Sequence, residues 1–176
     1  MNAPSPKMLI YSGKESACIK IVGRATFTSS IDLKTVISEL NQRGYTWFVL
    51  ELSECSLMDS TFLGVLAGFG LKMAASPAPP GVPVIELLNP PPRIVDLLEN
   101  LGVLQLFKVN QGNAPCIRAP EEVVAHTPGQ PSREEVTRAC LEAHETLMEL
   151  NPANIPKFKD VAQFMAEDLK RIKEGR

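Results

Sequence analysis

Asp59-Ser60-Thr61 is the one short run in this sequence whose side chains could do chemistry together. It falls between a buried strand and a helix with almost no charge, in TWFVLELSECSLMDSTFLGVLAGFGLKM, residues 46–73. A helix leaves its first four N–H groups without intrahelical partners, so a short oxygen-bearing side chain there serves as a cap. The same position suits an anion, including a covalent phosphate, because the helix start is electropositive. Asp59 reads as an N-cap and as a residue that places the neighbouring hydroxyls. It does not read as a catalytic acid, since no second carboxylate or histidine lies nearby in sequence. Cys140 and His144 form a second pair, at i and i+4 on one helix face. Two ligands with His126 as the sole other histidine fall short of a metal set, so the pair reads as part of a packing stripe and no metal is expected. No glycine-rich phosphate loop follows a strand, and no nucleophile elbow is present. The expectation is therefore a protein without cofactor that is not an enzyme.

The elements that position the triplet follow from periodicity. Thr46–Leu52 is a strand, Ser53–Asp59 a turn, and a helix begins at Ser60 or Thr61 and runs to about Ala74. Upstream, Met8–Tyr11 and Ala17–Val22 form a hairpin, with Gly23 ending the second strand. Arg24–Ser30 reads as a loop rich in hydroxyls, and Ser29 or Ser30 caps a helix over Ile31–Arg43. Residues 75–83, rich in proline, read as a surface connector, since proline removes donors and fixes φ. Val84–Leu88 is a strand buried on both faces. Arg93–Asn100 is a helix and Val103–Val109 the last strand. Alternation after the first hairpin implies right-handed crossovers and a largely parallel sheet, hence an α/β fold.

The words LELSECSLMDSTFLGVL resemble the signature of STAS domains, the anti-sigma factor antagonist family. Leu52-Ser53, Met58-Asp59-Ser60-Thr61 and Leu63-Gly64-Val65-Leu66 match that pattern, while Phe62 stands where the family has Gly and Glu51 where Asp is common. The resemblance implies a mostly parallel sheet with helices in a βα superhelix over residues 1–110. It also implies a regulator that switches partners with an anti-sigma factor having kinase activity, and a phosphatase that resets it. The phosphorylated hydroxyl maps to Thr61, with Ser60 as second choice. The partner surface would comprise Asp59, Ser60, Thr61, Phe62, Arg24 and Thr26. The family's acidic loop residue falls at Thr26, or its role passes to Asp32. Arg24 is a solvated cation or a phosphate partner. The alternative is a STAS module that binds a small ligand or scaffolds a complex, with Thr61 as a cap only.

Composition bounds the rest. The 176 residues are 44% apolar and 22% charged with net charge −2, which favours a globular chain and disfavours nucleic acid or an anionic membrane as partner. The N-terminus lacks the pattern of a secretory signal and no run spans a bilayer, so a cytoplasmic protein with reduced thiols at Cys18, Cys55, Cys116 and Cys140 is expected. Residues 111–130 read as a linker with a short extended piece at Cys116–Arg118. Residues 131–176 read as a helical hairpin. Ser132 and Glu135 make a capping box. One apolar stripe is Val136, Ala139, Cys140, Ala143, Leu147 and Leu150. The other is Phe158, Val161, Ala162, Met165, Leu169 and Ile172. Two narrow stripes need a partner, so the hairpin should dock on the domain's own body or on a second copy and limit access to Thr61.

Overall fold

The computed structural model describes residues 6–14, 16–74, 85–114, 117, 120 and 122–175, except the side chain of Ala74. The proline-rich stretch, Cys116 and Arg118 lie outside these residues.

The chain runs β1 (Lys7–Ser12), β2 (Ser16–Ala25), α1 (Phe27–Gln42), β3 (Trp47–Glu51), β4 (Cys55–Met58), α2 (Ser60–Ala74), β5 (Ile85–Leu88), α3 (Pro92–Asn100), β6 (Lys108–Asn110) and β7 (Glu122–Ala125). Two further helices come after these, α4 (Arg133–Leu150) and α5 (Ile155–Lys173). The sheet order is β6-β5-β3-β2-β1-β7, with β4 pairing on β2. The β2–β3, β2–β4, β3–β5 and β5–β6 pairs are parallel, while β1 is antiparallel to both β2 and β7. A mixed α/β architecture with a C-terminal helical region is thus what the sequence folds into.

The core lies where β2, β3 and β5 face α1, α2 and α3. Ala17, Ile19 and Ile21 alternate into it from β2, and Phe48, Leu50, Ile85 and Leu87 meet them. From the helices come Leu33, Val36, Ile37, Phe62, Leu63, Leu66, Ile94 and Leu98. Each such side chain contributes about 1.5–3 kcal/mol by burial. The other sheet face carries a smaller cluster of Cys18, Val49, Leu88 and Ala114.

Five sequence expectations need correction. Gly23 does not end β2. At φ +88 it sits at a register shift, and the strand continues to Ala25. The stretch 24–30 is not a loop: α1 starts at Phe27 with Thr26 as N-cap, and the Thr26 N–H donates to Ser29 Oγ at 2.9 Å. The hydroxyls that look like loop chemistry are satisfied locally as helix-start chemistry. The segment Ser53–Asp59 contains β4, four residues that extend the sheet beside β2. Val103–Val109 is not one strand, because a 3-10 turn at Leu104–Leu106 precedes the short β6. Within 111–130, Glu122–Ala125 is an edge strand rather than plain linker.

The hairpin docks on the chain's own body. Leu147 is fully buried in the main core, and α4 lies along α2. Its turn is pinned at the end of α3: Asn154 Nδ2 donates to Leu101 O at 2.9 Å and to Leu147 O at 2.8 Å, and Lys157 Nζ donates to Asn100 O at 3.2 Å. Not all of the α5 stripe faces inward. Ala162 is buried, but Val161 is 40% exposed.

Candidate functional site

The candidate site is the β4–α2 junction. Asp59 ends the connection, its N–H donating to Ala25 O at 2.9 Å, which ties it to the end of β2. Its carboxylate serves two helices at once. Oδ1 accepts from the Phe62 N–H at 2.8 Å, capping α2, and Oδ2 accepts from the Phe27 N–H at 2.8 Å at the start of α1. One carboxylate thus faces two helix starts, a favourable place for negative charge. That sets where Ser60 and Thr61 point.

Both hydroxyls meet α4. Ser60 Oγ lies 2.9 Å from His144 Nε2. His144 Nδ1 lies 2.6 Å from the Cys140 carbonyl oxygen, which can only accept. The proton of the neutral ring is therefore on Nδ1, and Ser60 donates to Nε2. Thr61 Oγ1 donates to Cys140 Sγ at 3.6 Å. His144 is buried and packs against the Phe158 ring of α5 with centroids 5.0 Å apart. Burial pushes the Cys140 thiol above its ordinary 9.0; the hydrogen bond from Thr61 works the other way. The i, i+4 pair Cys140 and His144 thus acts on the hydroxyl pair, and no group of three or more metal-ligating side chains occurs among the described residues.

Glycine makes this approach possible. A Cβ on Gly64 would lie 2.6 Å from Ala143 Cβ and 2.7 Å from Ala143 C, closer still to the Ala143 carbonyl oxygen. No side chain larger than hydrogen fits while α4 is seated there.

The residues expected at a partner surface do not all lie at the surface. Asp59 and Ser60 are half-buried, and Thr61 is only 5% exposed. Phe62 belongs to the main core at 0% exposure, so it cannot contact a partner. It fills the space beneath α2 instead. Thr26 is close by, as the residue before Phe27. Arg24 is exposed on β2 in register with Leu57, and bonds neither Asp59 nor Thr61. Asp32 is committed elsewhere, to His126 Nε2 at 3.2 Å and to the Gly129 N–H at 3.0 Å. Sequence reasoning missed Phe27, which is 44% exposed and whose backbone N–H donates to the Asp59 carboxylate. An exposed aromatic at a helix start was the available signal.

No protein-family model matches the chain, and no curated protein matches it. Among solved structures it is similar to the anti-sigma factor antagonist SpoIIAA in its unphosphorylated form, at 19% identity over 61% of this chain and 89% of that one, with a TM-score of 0.48. It is also similar to the Bacillus cell fate determinant SpoIIAA in the phosphorylated form, at 20% identity over 58% and 89%, with a TM-score of 0.46. No helix among the described residues is long and apolar enough to cross a membrane.

Proposed function

We propose that this chain is a regulator of the anti-sigma factor antagonist type, acting by binding other proteins, with phosphorylation of Thr61 as its switch. The observation that supports this reading is the β4–α2 junction, where a doubly capping Asp59 fixes two hydroxyls at the start of an apolar helix. A phosphate there adds about 1.5–2 negative charges. The helix start tolerates it, by about 0.3–2 kcal/mol. A neutral surface packed against α2 does not, because burying an unpaired dianion is costly. The partner class is an anti-sigma factor with kinase activity, and a phosphatase resets the switch. In this reading residues 1–110 carry the function, and β7 and the 131–176 hairpin are packed on them.

The test is the intact mass of protein from its native cells together with what co-purifies. A species heavier by about 80 Da that is lost in Thr61→Ala supports the switch. So does weaker partner binding by Thr61→Glu with binding retained in Thr61→Ala. Equal partner affinity of the wild type and both variants refutes it. A second reading is favoured by the burial of Thr61 at 5% exposure. In that reading the chain is a scaffold or small-ligand module, and the Thr61 hydroxyl only closes the α2–α4 seam. Absence of any phosphorylated species, with partners still bound, selects it.

A further inference from the structure

Thr61 is 5% exposed, and its hydroxyl faces α4. Its hydroxyl ends on Cys140, the neighbouring Ser60 ends on His144, and one turn on Gly64 meets the Ala143 backbone. We propose that the α4–α5 hairpin is an intramolecular occupant of the Asp59-Ser60-Thr61 surface, and that a partner or a modifying enzyme gains Thr61 only when the hairpin leaves. The meaning of that exposure rests on the function proposed above; the movement itself does not.

Leu147 anchors α4 in the main core, and three features make the stretch of the hairpin over Ser60 and Thr61 the part that can open. The contacts at the site are hydroxyl to imidazole and hydroxyl to thiol, and each group can exchange its partner for water at little net cost. Beside the tight Gly64–Ala143 contact the seam is open to solvent. A cavity of about 290 Å³ lies between α1, α2 and α4, lined by Lys34, Val65, Gly68, Phe69, Glu142 and Thr146. Across it α1 and α4 are joined by an exposed ion pair, Lys34–Glu142 at 3.7 Å, of a kind that contributes little. Finally, the buried Asn154 holds the hairpin's turn to Leu101 at the far end, and the chain entering α4 is held at Gly129, so both attachments lie away from the two hydroxyls. The arrangement is that of a flap anchored at its turn and at Leu147, with its weakest contacts over the two hydroxyls.

Closure and phosphorylation exclude each other. A phosphate on Thr61 would occupy the place of Cys140, next to the Asp59 carboxylate and beneath an apolar stripe. Once attached, it holds the flap open, and the flap returns only after the phosphate is removed.

The chain carries its own probe. Cys140 lies in the seam, while Cys55 lies in the sheet core at 2% exposure. Alkylation of the full chain by iodoacetamide, followed by peptide mapping, reports opening of the flap at Cys140 and loss of the whole fold at Cys55. Cys140 is expected to react about tenfold or more faster than Cys55 in the wild type, as a region that opens below global unfolding does. Thr61→Glu should raise the Cys140 rate by a further factor of about ten, and His144→Ala should raise it too, with Cys55 unchanged. Equal rates at the two cysteines, or a Cys140 rate that neither variant raises, overturns the proposal. The outcome is separable from the switch itself. Fast Cys140 with no phosphate ever found on Thr61 leaves the flap and removes the phosphorylation. A phosphate on Thr61 with Cys140 and Cys55 reacting alike does the reverse.

Discussion

Gly64→Ala is the sharpest perturbation of the α2–α4 seam. The added methyl would sit 2.6 Å from Ala143 Cβ, where ordinary contact begins at 3.4 Å. The obstacle includes the Ala143 backbone, which cannot rotate aside as a side-chain tip can, so α4 must retreat by roughly 1 Å. Overpacking of this kind costs about 1–3 kcal/mol. Against it stands the intrinsic gain of replacing a mid-helix glycine by alanine, about 0.8–1.0 kcal/mol. The balance is a loss of up to about 2 kcal/mol. For a chain of this size that lowers Tm by roughly 2–4 °C per kcal/mol. Gly68, one turn further along the same helix, has nothing within 4 Å of its virtual Cβ. Gly68→Ala therefore receives the helix gain alone and should raise Tm by a few degrees. Thermal melts of the two variants with the wild type decide the matter through opposite signs. If both substitutions stabilise equally, α4 does not sit on Gly64 as described.

The remaining predictions concern caps and pins. Asp59→Ala removes caps from two helices and should cost about 0.5–2 kcal/mol for each in urea unfolding, with Asp59→Asn milder; a change below about 0.5 kcal/mol would show that the shared cap is not needed. Asn154 is fully buried, so Asn154→Ala leaves the Leu101 carbonyl without its donor, leaves Leu147 O with the Asn151 N–H alone, and should cost about 1–3 kcal/mol, while loosening the hairpin turn by hydrogen exchange. Ser132→Ala should cost about 0.5–2 kcal/mol through loss of the capping box. The Ser132 backbone N–H holds the Glu135 carboxyl below its ordinary 4.5. A depressed acid stabilises the fold above its unfolded pKa and stops doing so as pH falls through the folded value. The gap between wild type and Glu135→Gln should thus be full at neutral pH and shrink below pH 4.5.

Legibility in the sequence tracks element length and burial. Of the two starts read for α2, Ser60 or Thr61, the helix takes Ser60, where an Asp-Ser pair precedes a long apolar run. The Ser132–Glu135 box forms as expected, with Ser132 Oγ accepting from the Glu135 N–H at 3.2 Å. β4 was not legible, since four residues with one exposed and one half-buried position look like a turn. β7 was not legible either: all four residues are exposed, so no alternation marks it, and only pairing with β1 makes it a strand. The start of α1 was hidden because the acceptors of its first N–H groups, Ser29 Oγ for Thr26 and Asp59 Oδ2 for Phe27, are visible only once folded. At the site, Cys140 and His144 could be placed on one face of one helix. Their targets, Thr61 and Ser60, lie about eighty positions away in sequence and are fixed by tertiary packing alone.

The pairing of β7 with β1 has a consequence for competition. The chain that leads into α4 is sewn to the sheet through Ala125, and the next residue, His126, donates its N–H to Met8 O at 2.9 Å. Asp32 then holds Gly129. From Gly129 to the capping Ser132 only three residues remain, a leash of about 10 Å at full stretch. With its turn held as well, a lifted α4 stays within a helix diameter of the groove it left. A short tether of this kind sets a local concentration on the order of millimolar. An outside helix present at micromolar levels must therefore bind α2 roughly a thousandfold more tightly than α4 does merely to draw level. A stray encounter cannot open such a protein. A strong ligand or a covalent charge can.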